Sequence, residues 1–126
     1  MPIRHLDHVN VVTAKLDEMV AWYESVLGLR AGHRPDFPFG GAWLYAGDAP
    51  VVHLVQETGQ DRTGSEAALK LEHFAFSATD AAEFERRLRE YGDPFKKVEV
   101  RGAGLVQFHM SDPDGNHVHV DFDLNE

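Results

Sequence analysis

The feature that most constrains this chain is an internal repetition. Asp7-His8 lies near the start of an alternating stretch, "RHLDHVNVVT" (4–13), and Glu72-His73 lies in a second, "LEHFAFSA" (71–78), with the two histidines 65 residues apart. His53 and His119 fall in the last strand-like stretch of each half, 66 residues apart. Asp48 and Asp114, each five residues ahead of them, keep the same interval. Self-similarity at a fixed period is the mark of a duplicated structural unit. A unit of about 60 residues buries too little surface to be robust alone. The halves are therefore expected to pack on each other or on a second chain.

The order of elements repeats as well. In the first half, Val9 and Val11 alternate with His8 and Asn10, as in a strand. "LDEMVAWYESVL" (16–27) places Leu16, Met19, Val20, Tyr23, Val26 and Leu27 at helical spacing, with Gly28 as a stop signal. Residues 29–39, with Gly32, Pro35 and Pro38, read as a short strand and a loop. "GAWLYAGD" (41–48) and "PVVHLVQ" (50–56) read as two strands about a Gly-Asp-Ala-Pro turn. Residues 57–70 are polar and aperiodic, as in a linker or mobile loop. The second half repeats the plan. A strand at 71–78 precedes a helix over 80–92, with Ala81, Phe84, Leu88 and Tyr91 inward and Gly92 at its end. Strands at 96–100, 104–111 and 117–123 follow. The expected fold class is α+β: two βαβββ modules, about 4–56 and 71–123, forming a single domain. Each module is a curled mixed sheet with a helix on its convex face, and the two form a cup.

Composition narrows the chemistry. Cysteine is absent, which excludes disulfides, thiolate zinc sites and thiol nucleophiles. A net charge of −9 argues against nucleic acid and anionic membrane surfaces as partners. The sequence has no secretory apolar segment and no run near the roughly 20 apolar residues needed to span a bilayer. The expectation is a soluble, cytoplasmic protein that acts on a small molecule.

Eight histidines remain to be explained. Apolar neighbours define the helix-facing side of each strand: Val9 and Val11, Val52 and Leu54, Phe74 and Phe76, Val118 and Val120. They place His8, His53, His73 and His119 on the opposite face. One histidine on a polar strand face is usually just solvated. Four at repeat-equivalent positions point to imidazoles converging on a metal, and imidazole suits Zn, Fe, Ni, Co, Cu and Mn. His8, His73 and His119 are the expected ligands, with His53 as the fourth candidate. His109 and His117 share the same parity without a repeat partner, and are read as pocket lining or solvated. His5 and His33 carry no signal. Trp43 and Tyr45 are expected to line the substrate pocket. Glu57, His109, His117 and Asp121 are the candidate acid–base groups.

The "DHVNVVT" opening, "AWYESVLGL", "LEHFAFSA" and the "DPDGN" turn before the last strand resemble the vicinal oxygen chelate superfamily. That group includes glyoxalase I, bleomycin-resistance proteins, fosfomycin-resistance enzymes and extradiol dioxygenases. The resemblance spans almost the whole chain. It implies paired βαβββ modules around one divalent metal (Fe, Zn, Ni, Co or Mn), a homodimer, and ligands at the positions of His8, His53, His73 and His119. It further implies a dioxygenase, lyase or isomerase acting on a substrate chelated through adjacent oxygens. The alternative it offers is a metal-free drug-binding protein of the bleomycin-resistance type. One position departs from the pattern: the final ligand is usually Glu, and here it is His119. That removes the carboxylate base of a typical glyoxalase I. Asp121, on the same face, is the substitute carboxylate.

Overall fold

The computed structural model describes residues 2–59 and 71–126. The chain divides into two compact units, Met1–Asp61 and Arg62–Glu126. The first unit runs β1 (Val9–Thr13), α1 (Leu16–Ser25), β2 (Arg30–Gly32), β3 (Gly41–Ala46) and β4 (Ala49–Gln56). The second runs β5 (His73–Ser77), α2 (Ala81–Tyr91), β6 (Lys96–Val100), β7 (Leu105–Ser111) and β8 (His117–Asp123). The sheets have the same topology, β1-β4-β3-β2 and β5-β8-β7-β6. In each, the first strand pairs parallel to the last, and the other neighbours are antiparallel. This is the expected α+β architecture of two βαβββ modules.

Each helix follows from its local sequence. α1 buries Met19, Trp22 and Tyr23, and Val26 and Leu29 continue that face beyond its end. They pack with Leu44, Val52 and Leu54 of the first sheet. Gly28 (φ 75°) then turns the chain, and the Leu29 N–H returns to the Tyr23 carbonyl at 3.1 Å. α2 has better ends. The Asp80 side chain accepts from the Glu83 N–H at 3.2 Å, and Gly92 caps the last turn at φ 97°. Asp80 itself sits at φ 69°, a conformation tolerated best by Asn and Asp among non-glycine residues. The second core is aromatic: Phe84, Phe108 and Phe122 meet with centroids 5.4–5.7 Å apart. Val106, Met110, Val118 and Val120 complete it. Each fully buried side chain of this kind contributes about 1.5–3 kcal/mol.

Several boundaries differ from the sequence expectation, two of them most clearly. The first strand begins at Val9, not Arg4, and residues 2–8 lie exposed outside the sheet. The reason lies in the partner strand. In the β1–β4 register Pro50 falls opposite Asp7; it has no N–H to offer the ladder, and the His53 ring takes its carbonyl at 3.0 Å. α1 also ends at Ser25, two residues early. Most of the expected linker, residues 60–70, lies outside the described residues.

The "DPDGN" turn sets the entry of β8. Asp112 is buried, and its Oδ1 accepts the backbone N–H groups of Asp114 (3.0 Å) and Asn116 (2.9 Å). Its Oδ2 accepts from the Asn116 amide at 2.9 Å, and Gly115 takes φ 85°. Removing this carboxylate leaves several N–H groups unsatisfied, at a cost of about 1–3 kcal/mol. Asp112→Ala should lower the urea midpoint accordingly, whereas Asp114→Ala, at an exposed position, should change stability by less than about 0.5 kcal/mol. Equal losses from both would contradict this role for Asp112.

Candidate metal centre

Strand pairing decides which polar side chains meet. In the first unit Asn10 lies opposite His53 across the parallel ladder, and Trp43 lies opposite His53 on the other side. His8, two residues before Asn10, is diagonal to His53 on the same face. The His53 ring is consequently sandwiched. His8 stacks on it at 3.8 Å and Trp43 at 4.0 Å, each within 11° of parallel. The His8 Nδ1–H donates to Asp7 Oδ2 at 2.7 Å, and His53 Nε2–H donates to the Pro50 carbonyl. His8 Nε2 and His53 Nδ1 keep their lone pairs. Burial, and then the neighbouring His8, push the His53 pKa down and favour its neutral form. Asp7 is held below its usual range by the His8 hydrogen bond.

The second unit repeats this register with different residues. Ala75 lies opposite His119, and His109 lies opposite His119 on the other side. His109 thus occupies the position that Trp43 holds in the first unit, which corrects the reading that it has no repeat partner. His117, opposite His73, corresponds to Val51. Four imidazoles result on one face. His119 lies 4.6 Å from both His73 and His109, and His117 lies 5.0 Å from both. The set is not uniformly solvated: His119 is 6% exposed.

A continuous hydrogen-bond network orders these rings. His119 Nδ1 contacts Asp121 Oδ1 at 2.5 Å, and His73 Nδ1 contacts Glu72 Oε1. The second Glu72 oxygen accepts from His117 Nδ1 at 2.9 Å, and His117 Nε2 meets His109 Nδ1 at 2.8 Å. His109 Nε2 contacts the Gln107 carbonyl oxygen at 2.9 Å, and the Gln107 amide nitrogen faces Asp121 Oδ2 at 3.4 Å. The carboxylate ends fix the proton count. Gln107 must turn its N–H₂ toward Asp121, so its carbonyl accepts from His109 Nε2–H. The His109–His117 contact then holds one shared proton, with Glu72 as its counterion. Burial, followed by neighbouring His119 and His117, lowers the His109 pKa. Glu72 is held ionised by its bonds to His73 and then His117.

Several expected site residues take defined places. His8 and His53 share one array, and His73 and His119 share another with His109 and His117. Asp121 has its oxygens turned to His119 and Gln107, so in this arrangement it orients His119. Glu57 lies beyond the end of β4, where its carboxylate accepts from the Gly59 N–H at 2.7 Å. Trp43 faces the histidine array, while Tyr45 is anchored through its hydroxyl to the His33 carbonyl at 2.6 Å. Among the described residues, Glu72, His73 and His117 form a group whose potential ligand atoms all lie within 4.8 Å. Of these, the ligand set expected from sequence contains only His73. Asp7, Glu72 and Gln107 were not singled out as site residues. The acid-histidine dipeptides were visible, but not that each acid would grip its neighbour's Nδ1.

The donor set suits a borderline divalent ion. Imidazole nitrogens, carboxylates and no thiolates favour such metals, and the carboxylate on Nδ1 of His8, His73 and His119 leaves Nε2 as the ring nitrogen open to a ligand role in each. Long-range proton–nitrogen NMR should find neutral His73 and His119 as Nδ1–H tautomers and His109 as the Nε2–H tautomer. Nε2–H forms of His73 and His119 would contradict the network.

The chain belongs to the Glyoxalase/Bleomycin resistance protein/Dioxygenase superfamily, whose family model matches residues 5–120. A curated relative, glyoxylase I 4 of Arabidopsis thaliana, is 30% identical over 120 residues, covering 91% of this chain and 68% of that protein. A solved structure of a proposed glyoxalase family protein from Bacillus anthracis superposes with a TM-score of 0.77 at 25% identity, covering 98% of each chain. Lactoylglutathione lyase from Agrobacterium tumefaciens shares the fold, with a TM-score of 0.73 at 22% identity over 99% of this chain and 98% of that one. No helix among the described residues is long and apolar enough to cross a membrane.

Proposed function

We propose that this chain is a divalent-metal-dependent enzyme acting on a small substrate that presents two adjacent oxygens. The reading rests chiefly on one observation: His8, His73 and His119 each meet a carboxylate at Nδ1, with no hydrogen bond at Nε2 among the described residues. These three side chains are the proposed ligands, with His53 as the fourth candidate. When bound, the ion supplies Lewis-acid stabilisation of negative charge on substrate oxygen. The protein's part is to orient and to move protons. Asp7, Glu72 and Asp121 fix the ring tautomers and raise ligand basicity. The His117–His109 pair can hold a proton between Nε2 and Nδ1, with the Glu72 carboxylate on the far nitrogen of His117. That pair is the proposed acid–base group, in place of the carboxylate that His119 displaces from the usual pattern. Dioxygenase, lyase and isomerase chemistry all remain within this reading. A single-domain, homodimeric, cytoplasmic protein goes with it.

Metal analysis of protein purified without an affinity tag should find close to one transition-metal ion per site. His73→Ala should leave the purified protein well below one equivalent without unfolding the chain, and Asp121→Asn should weaken affinity about 10–100-fold. Less than about 0.1 equivalent with no rebinding, or full retention in the His73→Ala variant, would overturn the proposal.

A further inference from the structure

The ring stack of the first unit does not end at Trp43. Phe37 lies 6.3 Å from Trp43 and stacks on Phe39 at 5.2 Å and 8°. The Arg34 guanidinium lies over both phenylalanines, at 4.9 and 5.3 Å. A continuous row of planar groups therefore leads from His8 through His53, Trp43, Phe37 and Phe39 to Arg34. Phe37 and Phe39 stand 39% and 38% exposed, although burying them would be favourable.

The loop that carries them is held in place. Arg34 donates to the Phe39 carbonyl at 2.9 Å, Tyr45 holds the His33 carbonyl, and the Gln56 N–H holds that of Gly40 at 2.9 Å. Pro35 and Pro38 restrict the backbone further. At Gly41 a Cβ would lie 2.3 Å from the Leu54 carbonyl oxygen and 3.0 Å from the Arg34 guanidinium. The close approach that seats the loop against β4 thus requires glycine. Exposed aromatic rings on a braced loop form a recognition surface with little ordering cost on binding. Arg34 adds charge: it makes no ion pair among the described residues, in a chain of net charge −9.

We infer that Phe37, Phe39, Trp43 and Arg34 form the substrate subsite beside His8 and His53, and that it takes a planar aromatic ring bearing an anionic group. The ring packs on the exposed surface of Phe37 and Phe39, and the anion meets the guanidinium. This deepens the metal-enzyme reading and rests on it for the identity of the site. The binding itself is a property of the first unit's own residues.

Calorimetric titration of the full chain, with and without prior chelation, tests this using benzoate, benzyl alcohol and cyclohexanecarboxylate as probes. Benzoate should bind about tenfold tighter than either analogue, in chelated protein as well. Arg34→Gln should erase the preference over benzyl alcohol, and a Phe37→Leu/Phe39→Leu variant should erase that over cyclohexanecarboxylate. Equal binding of all three probes, or unchanged benzoate binding in both variants, would overturn the inference. So would a change of oligomeric state in the Leu variant with benzoate affinity intact, since the pair would then serve a second copy. Failure here with metal binding retained removes only the subsite. Loss of metal binding with probe selectivity intact removes only the metal reading.

Discussion

The parallel pairing of first strand with last strand is the constraint on which the rest depends. In each unit the helix and two antiparallel strands intervene between these partners, yet the register that joins them is the same. Asn10 meets His53 and Ala75 meets His119. On a pleated sheet a residue two positions along is the diagonal neighbour on the same face. That geometry brings His8 to His53 and His73 to His119. A slip of one residue would send every one of these rings into the apolar core, where Val52, Leu54, Val118 and Val120 are fixed by burial. The core therefore specifies the site: the same valines that hold the sheet to its helix hold the histidines away from it.

Charge then turns aligned histidines into oriented ones. A free imidazole interconverts between two tautomers, and only the nitrogen without a proton can coordinate a metal. Asp7, Glu72 and Asp121 each settle that choice for a neighbouring ring. Two of them do so from the adjacent residue and one from two residues away. Glu72 goes further by holding His117 as well. Histidines alone would give an array of weakly ordered rings; the carboxylates give it direction.

Much of this was legible in the sequence. The repeat interval and the alternation of Val9, Val11, Phe74, Phe76, Val118 and Val120 were enough for the βαβββ element order and for the polar face of the strands, while the strand order and the parallel pairing of first with last were not read from it. The correspondence of His109 with Trp43 was not legible by comparing like with like, because an imidazole and an indole occupy equivalent places. Only strand pairing reveals that both sit opposite a last-strand histidine. The start of β1 was misread because alternation continues through residues 4–8 while the pairing partner is lost at Pro50. The network through Gln107 depends on side-chain rotamers, which periodicity does not encode. Conversely, the dipeptides Asp7-His8 and Glu72-His73 carried the essential chemistry in plain view.

The central proposal is that His8, His73 and His119 serve as metal ligands through Nε2. X-ray absorption on the zinc-loaded chain tests it most directly. The account predicts a nitrogen/oxygen shell at roughly 2.0–2.1 Å with outer-shell scattering from three or four imidazole rings, reduced by one ring in each of the variants His8→Ala, His73→Ala and His119→Ala. An imidazole count unchanged in all three variants, or a shell without imidazole scattering, would contradict it.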